Sequence, residues 1–183
     1  FMKVSLKDYE IQLANFVGDR RNSESKRMGL KNAYKYDGSN HQADEDSRVG
    51  ARGELAVAKA MNWYYDGSVN TFKNGYDVYK VQVRTRKEKH YDLLVRPDDR
   101  DEDVFVLVIP QNDREFIIHG WQVAKKCKQK EFESKNNSRP VAYFYPQKLL
   151  NSMDTINTYL NENFKEQNTV QIEEDNTDPF NLD

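Results

Sequence analysis

Asp77-Val78-Tyr79-Lys80-Val81-Gln82-Val83-Arg84 carries the two-residue period of a β-strand, with Val81 and Val83 on one face and Gln82 and Arg84 on the other. Three further β-type runs follow: 91–96, 104–109 and 115–121. Turn residues separate them, as Asn74-Gly75, Pro97-Asp98-Asp99 and Pro110-Gln111-Asn112-Asp113. The spacing predicts an antiparallel-leaning meander. Val104-Phe-Val-Leu-Val-Ile109 is apolar throughout, the pattern of a central strand covered on both faces.

Upstream the period is helical. Ser5-Leu-Lys-Asp8 has the form of a capping box, and Leu6, Tyr9, Leu13, Phe16 and Val17 follow at helix spacing, predicting a helix over 5–20. Residues 37–47 are polar and turn-rich and read as a loop, after which Ser47 caps a second helix reaching about Trp63. Gly50 and Gly53 inside it each cost about 1 kcal/mol of helix propensity and imply close packing on another backbone. Glu54 stands among its small and apolar residues. Downstream, 123–130 reads as a basic helix, Pro140-Val-Ala-Tyr-Phe-Tyr-Pro146 as an edge strand or extended segment, and 149–164 as a final helix.

The predicted class is α/β with α+β character: a single mixed, antiparallel-leaning sheet of four to five strands flanked by helices. One domain is expected over 1–167, with a helical segment at 5–36 and a core at 47–165; an acidic tail, 168–183, follows. A chain of 183 residues buries roughly 70% of its unfolded surface and needs no disulfide. The single cysteine, Cys127, excludes a disulfide framework and reads as a small buried residue of a reducing compartment. No apolar run reaches the length of a membrane span and no signal-peptide pattern opens the chain, so a cytoplasmic location is expected.

With 30 acidic and 28 basic residues, net charge −2, bulk positive charge cannot drive nucleic-acid binding; a local patch must. Arg86, Lys87 and Lys89 crowd the connection after the first strand, and Lys125 belongs to the basic helix; these are the candidate phosphate contacts. His41, His90 and His119 are too scattered to form a zinc site.

A Glu-bearing helix (Gly53-Glu54-Leu-Ala), an Asp opening a strand (Asp77), then Gln82-Val-Arg84 in the place of (D/E)-X-K resembles the PD-(D/E)XK nuclease superfamily. Tyr91-Asp-Leu-Leu-Val, the central strand and Gly120-Trp121 before a basic helix also look like nuclease-fold proteins encoded by phages, which makes the expected location a host cytoplasm. The resemblance implies a restriction-endonuclease-like fold and a DNA phosphodiester hydrolase using Mg²⁺ or Mn²⁺. Its site residues are Glu54, Asp77, Gln82 and Arg84. Asp77 is then the main metal ligand, Glu54 holds a second ion or a metal-bound water, Gln82 lends its amide oxygen and Arg84 clamps the phosphate. Gln82 is neutral and Arg84 stays protonated, so neither serves as a general base. The short gap from Asp77 to Gln82 requires one strand or a very tight turn at Tyr79-Lys80. The alternative reading is a catalytically silent nuclease fold that binds DNA or a host protein, the acidic tail being one protein-binding segment.

Overall fold

The computed structural model describes residues 1–29, 40–69, 75–134 and 140–164. A four-stranded mixed sheet, ordered β1-β5-β4-β2, carries helices on one face and a two-stranded sheet, β3-β6, on the other. The strands are β1 (Met2–Ser5), β2 (Gln82–Thr85), β3 (Leu93–Val95), β4 (Val104–Pro110), β5 (Glu115–Val123) and β6 (Tyr143–Tyr145). The helices are α1 (Asp8–Arg27), α2 (Asn40–Met61), α3 (Ala124–Cys127) and α4 (Ile156–Asn163).

β4 is the central strand its composition demanded. Val104 through Ile109 are all fully buried, and alternate residues serve different cores. Val104, Val106 and Val108 join Val81, Val83, Ala51, Leu55 and Ile118 beneath α1 and α2. Phe105, Leu107 and Ile109 join Leu93, Val95 and Cys127 on the opposite side. Burial of Cys127 in that second core pushes its thiol up to about 12, so it is inert filling.

The meander is corrected. β2 pairs with β4 in parallel, Gln82 opposite Phe105 and Thr85 opposite Val108. A parallel neighbour needs a crossover, and the chain between 86 and 103 supplies it. β3 lies within that crossover, so it leaves the main sheet, lays Leu93 and Val95 on the far face of β4 and pairs with β6 instead. One sheet of four to five strands is therefore two sheets, of four and two strands. β1 takes the remaining edge, antiparallel to β5 with Met2 opposite Ile118, and α1 starts only at Asp8 with Glu10 accepting the Lys7 N–H at 2.6 Å.

The second helix begins at Asn40, not Ser47, so the described part of the expected loop, 40–47, is helical. Its polar residues read as loop because their partners are distant in sequence: Asp44 binds Lys26, Arg48 binds Asp19, and Arg52 binds Glu45 and Asp113. Ser47 sits mid-helix and donates to the Ala43 carbonyl at 3.0 Å. α1 ends at Arg27; residues 30–36 of the expected helical segment and the acidic tail at 168–183 lie outside the described residues.

The basic helix at 123–130 shortens to α3, a single turn. The last α-helix begins at Ile156, after 3-10 turns over Gln147–Leu149 and Met153–Thr155, and between those turns the Asn151 backbone is taken by Trp121, N to O 2.9 and 3.1 Å. β5 admits this contact through a bulge. Leu107 opposes Gly120 and Val108 opposes Ile118, so His119 is the extra residue and Trp121 swings onto the helix side beside Ile118. Trp121 is thus a core anchor, its indole N–H on the Ser152 carbonyl at 3.0 Å.

Candidate functional site

Asp77 and Glu54 meet at the free edge of β2. The chain turns back immediately after Asp77: Val78 and Val81 form an antiparallel bridge, with Tyr79 at φ 51° in the turn. Of the two alternatives that the spacing left, one strand or a very tight turn, the turn is present and β2 begins only at Gln82. It brings Asp77 alongside β2, where its Oδ2 accepts the Val83 N–H at 2.7 Å. That N–H is available because β4 occupies only the other edge of β2.

Glu54 approaches the same place from α2. Gly53 seats the helix: a Cβ there would lie 2.0 Å from Thr85 Oγ1 on β2. Such an approach turns Glu54, 6% exposed, toward the strand edge. Burial and the neighbouring Asp77 charge push its carboxyl up to about 7, against the pull of Arg21. Asp77 is also raised, by burial, while the Val83 N–H, Arg84 and Arg21 draw it the other way. Glu54 is thus buried and Asp77 half-buried, and the negative charge of Asp77 opposes ionisation of Glu54.

Arg21 of α1, absent from the sequence reading, completes this cluster. Its Nη1 donates to both Glu54 oxygens, at 2.6 and 2.8 Å, and its Nε donates to the Ser68 carbonyl at 2.8 Å. Tyr65 faces the same charges, and burial first, then Glu54, raises its phenol. The Tyr65 hydroxyl and Ser68 hydroxyl are buried without hydrogen-bond partners. No spacing rule links Arg21 to Glu54, so only the packing of α1 on α2 could reveal the pair.

Gln82 and Arg84 lie on the other face of β2. The Gln82 amide donates to the Gly75 carbonyl at 2.9 Å and so braces the loop leading to Asp77. Arg84 Nη2 binds both oxygens of Asp99 at 3.0 and 3.1 Å, and its guanidinium lies 4.5 Å from the Phe105 ring. Its charge reaches Asp77, but Nη2 is held by Asp99 in the Pro97-Asp98-Asp99 turn, while Nε is buried without a hydrogen-bond partner among the described residues. Of the basic residues, Arg86 is half-buried, Lys87 pairs with Asp46, and Lys89 and Lys125 are exposed.

Among the described residues no three His, Cys, Asp or Glu side chains come together as a metal site. Two carboxylates suffice for Mg²⁺, which is commonly held by one or two of them with water and substrate oxygens. The all-oxygen donor set here and the unpartnered Tyr65 and Ser68 hydroxyls beside it fit such an ion and do not fit zinc. Among the described residues no helix is long and apolar enough to cross a membrane. Compared with protein-family models, curated proteins and solved structures, the chain matches none.

Proposed function

We propose that this mixed α/β protein is a divalent-metal-dependent nuclease of the PD-(D/E)XK type, hydrolysing DNA phosphodiesters at the Glu54–Asp77 edge of β2. The observation that supports it is that buried Glu54 and half-buried Asp77, two carboxylates of the one sequence motif, lie near enough for the Asp77 charge to act on Glu54. Glu54 and Asp77 would hold Mg²⁺ or Mn²⁺, without Gln82, which lies on the other face of β2; the ion would supply charge neutralisation at the phosphate and a water acidic enough to attack near neutral pH.

The chain's own residues do the rest. The Val83 N–H fixes one oxygen of Asp77, orienting the carboxylate. Gln82 holds the Gly75 loop in place behind it. Arg21 neutralises part of the acidic charge and offers its guanidinium on the helix side of the site, where a phosphate can draw it from Glu54. Arg84 contributes positive potential at Asp77 while anchored on Asp99.

A second reading has an observation of its own. Arg21 occupying both Glu54 oxygens, and Asp99 occupying Arg84, suit a silent relative in which internal ion pairs replace metal and phosphate. Incubating the purified protein with plasmid and with linear DNA, in Mg²⁺, Mn²⁺ or EDTA, separates the two. The hydrolase predicts metal-dependent cleavage abolished by Asp77→Asn. Absence of cleavage in both metals, or cleavage indifferent to Asp77→Asn, rejects it.

A further inference from the structure

Next to the acidic pair, a cleft of about 320 Å³ opens between α2 and the chain leaving β2, lined by Val49, Gly50, Thr85, Arg86 and Tyr91 among others. Gly50 is one turn from Glu54 along α2, and Thr85 is two residues beyond Val83, whose N–H holds Asp77. The cleft therefore continues the site along one strand.

Arg86 is the unusual group in it. Arg21, Arg52 and Arg84, which also face into the fold, each hold a carboxylate. The Arg86 side chain has no hydrogen bond or ion pair among the described residues, and its Nε is buried without a partner. Asp92 is near enough to act on its charge, yet Asp92 Oδ1 accepts the Gln147 N–H at 3.1 Å. What Arg86 does contact is aromatic: its guanidinium is 4.7 Å from the Tyr91 ring centre and 5.7 Å from that of Phe144. A half-buried cation without a counter-charge is unfavourable unless an anion arrives from outside.

Tyr91 and Phe144 are themselves 37% and 36% exposed, so the cation is framed by two aromatic side chains open to solvent. In a duplex the base faces are stacked on each other; in a single strand they are free to lie on aromatic rings, which is how single-strand binders combine phosphate contacts with stacking. Duplex binding rests on many cations, and here Lys87 is held by Asp46, Arg84 by Asp99 and Lys128 by Asp101. We propose that this cleft binds a nucleotide of a single-stranded polynucleotide, the phosphate on Arg86 and the base against the exposed part of Tyr91. The inference rests on the polynucleotide reading of the neighbouring site and adds its strandedness.

The test is fluorescence anisotropy in EDTA, titrating the whole protein into labelled oligo(dT), oligo(U) and a duplex of the same length over a range of salt. The single strands are expected to bind at least about 10-fold more tightly than the duplex, and whichever of oligo(dT) and oligo(U) binds better sets DNA or RNA as the source. Tyr91→Leu is expected to weaken the single strand by roughly 5- to 150-fold and leave the duplex unchanged. Arg86→Gln is expected to weaken binding and flatten the log–log salt slope by about 0.7. Equal affinity for duplex and single strand, no single-strand binding, or parent-strength binding by either variant overturns the proposal. Binding in EDTA does not depend on hydrolysis. Single-strand binding without cleavage therefore ends only the hydrolase reading, and duplex cleavage untouched by Tyr91→Leu ends only this one.

Discussion

Arg21 Nη1 lies 2.6 and 2.8 Å from the two carboxylate oxygens of Glu54, joining α1 to α2 at the point where α2 meets the free edge of β2. The pair is largely screened from solvent on the Glu54 side, 8% exposed, and less so on the Arg21 side, 24%. Within it, one guanidinium answers two acids, Glu54 and Asp77.

Removing the guanidinium leaves Glu54 buried with only Asp77 as its charged neighbour of consequence. Arg21→Ala is expected to lower stability by about 2–4 kcal/mol, less than the extreme for a broken buried pair because Glu54 can take up a proton instead. Urea denaturation measures this, and Arg21→Met combined with Glu54→Gln is expected to restore most of the loss. A double variant no more stable than the single one contradicts a charge-based role for the pair.

Stability should also depend on pH through Glu54. Its carboxyl moves from 4.5 to about 7 on folding, so between these values the folded chain holds a proton that the unfolded chain has released. Stability is therefore fully present below about pH 4.5, falls as pH rises through about 7, and levels off above it. The whole fall from Glu54 is on the order of 3 kcal/mol, and Asp77, shifted the same way, adds to it. Denaturation series at about pH 5 and about pH 8 measure it, and Glu54→Gln is expected to flatten most of the slope.

Much of this was legible in residues 77–109. The burial of Val81 and Val83 and the unbroken apolar run of β4 are local properties that stand in the structure as read, whereas the strand expected from Asp77 begins only at Gln82, the tight turn being the one of the two alternatives that holds. The parallel pairing of β2 with β4 was not legible, because strand order depends on which face the crossover covers and not on period. Arg21 escaped for a similar reason: a surface-looking arginine on α1 becomes a site residue only once Gly18 lets α1 cross close to α2, where a Cβ would lie 2.8 Å from the Arg48 backbone. The early start of α2 was hidden by charges whose partners lie on other elements.

Gly120 tests the bulge that sets Trp121 on the core side. It sits at φ +148°, and a Cβ there would lie 2.4 Å from the Asn151 carbonyl oxygen. That oxygen belongs to the backbone and accepts the Trp121 N–H at 3.1 Å, so it cannot yield cheaply. Gly120→Ala is expected to cost at least about 2 kcal/mol, from overpacking and backbone strain together. Chemical denaturation followed by Trp fluorescence measures both the loss and any change around Trp121. A neutral substitution contradicts the close approach.

Metal binding gives the last prediction, and it does not require catalysis. A cation held by the folded site and not by the unfolded chain stabilises by about 2.7 kcal/mol when present at a hundred times its dissociation constant. Mg²⁺ is therefore expected to raise the melting temperature, and more strongly at about pH 8, where Glu54 is ionised, than at about pH 5, where metal and proton compete. Asp77→Asn is expected to abolish the effect. Arg21→Ala is expected to enlarge it, since the guanidinium competes for the same two Glu54 oxygens. Thermal shift at matched ionic strength, with Mg²⁺ against an equivalent of Na⁺, measures all four cases. If Mg²⁺ leaves the wild-type and the Arg21→Ala protein equally unmoved, the two carboxylates do not hold a metal even when freed of the guanidinium, and the silent binder is the correct reading of the site.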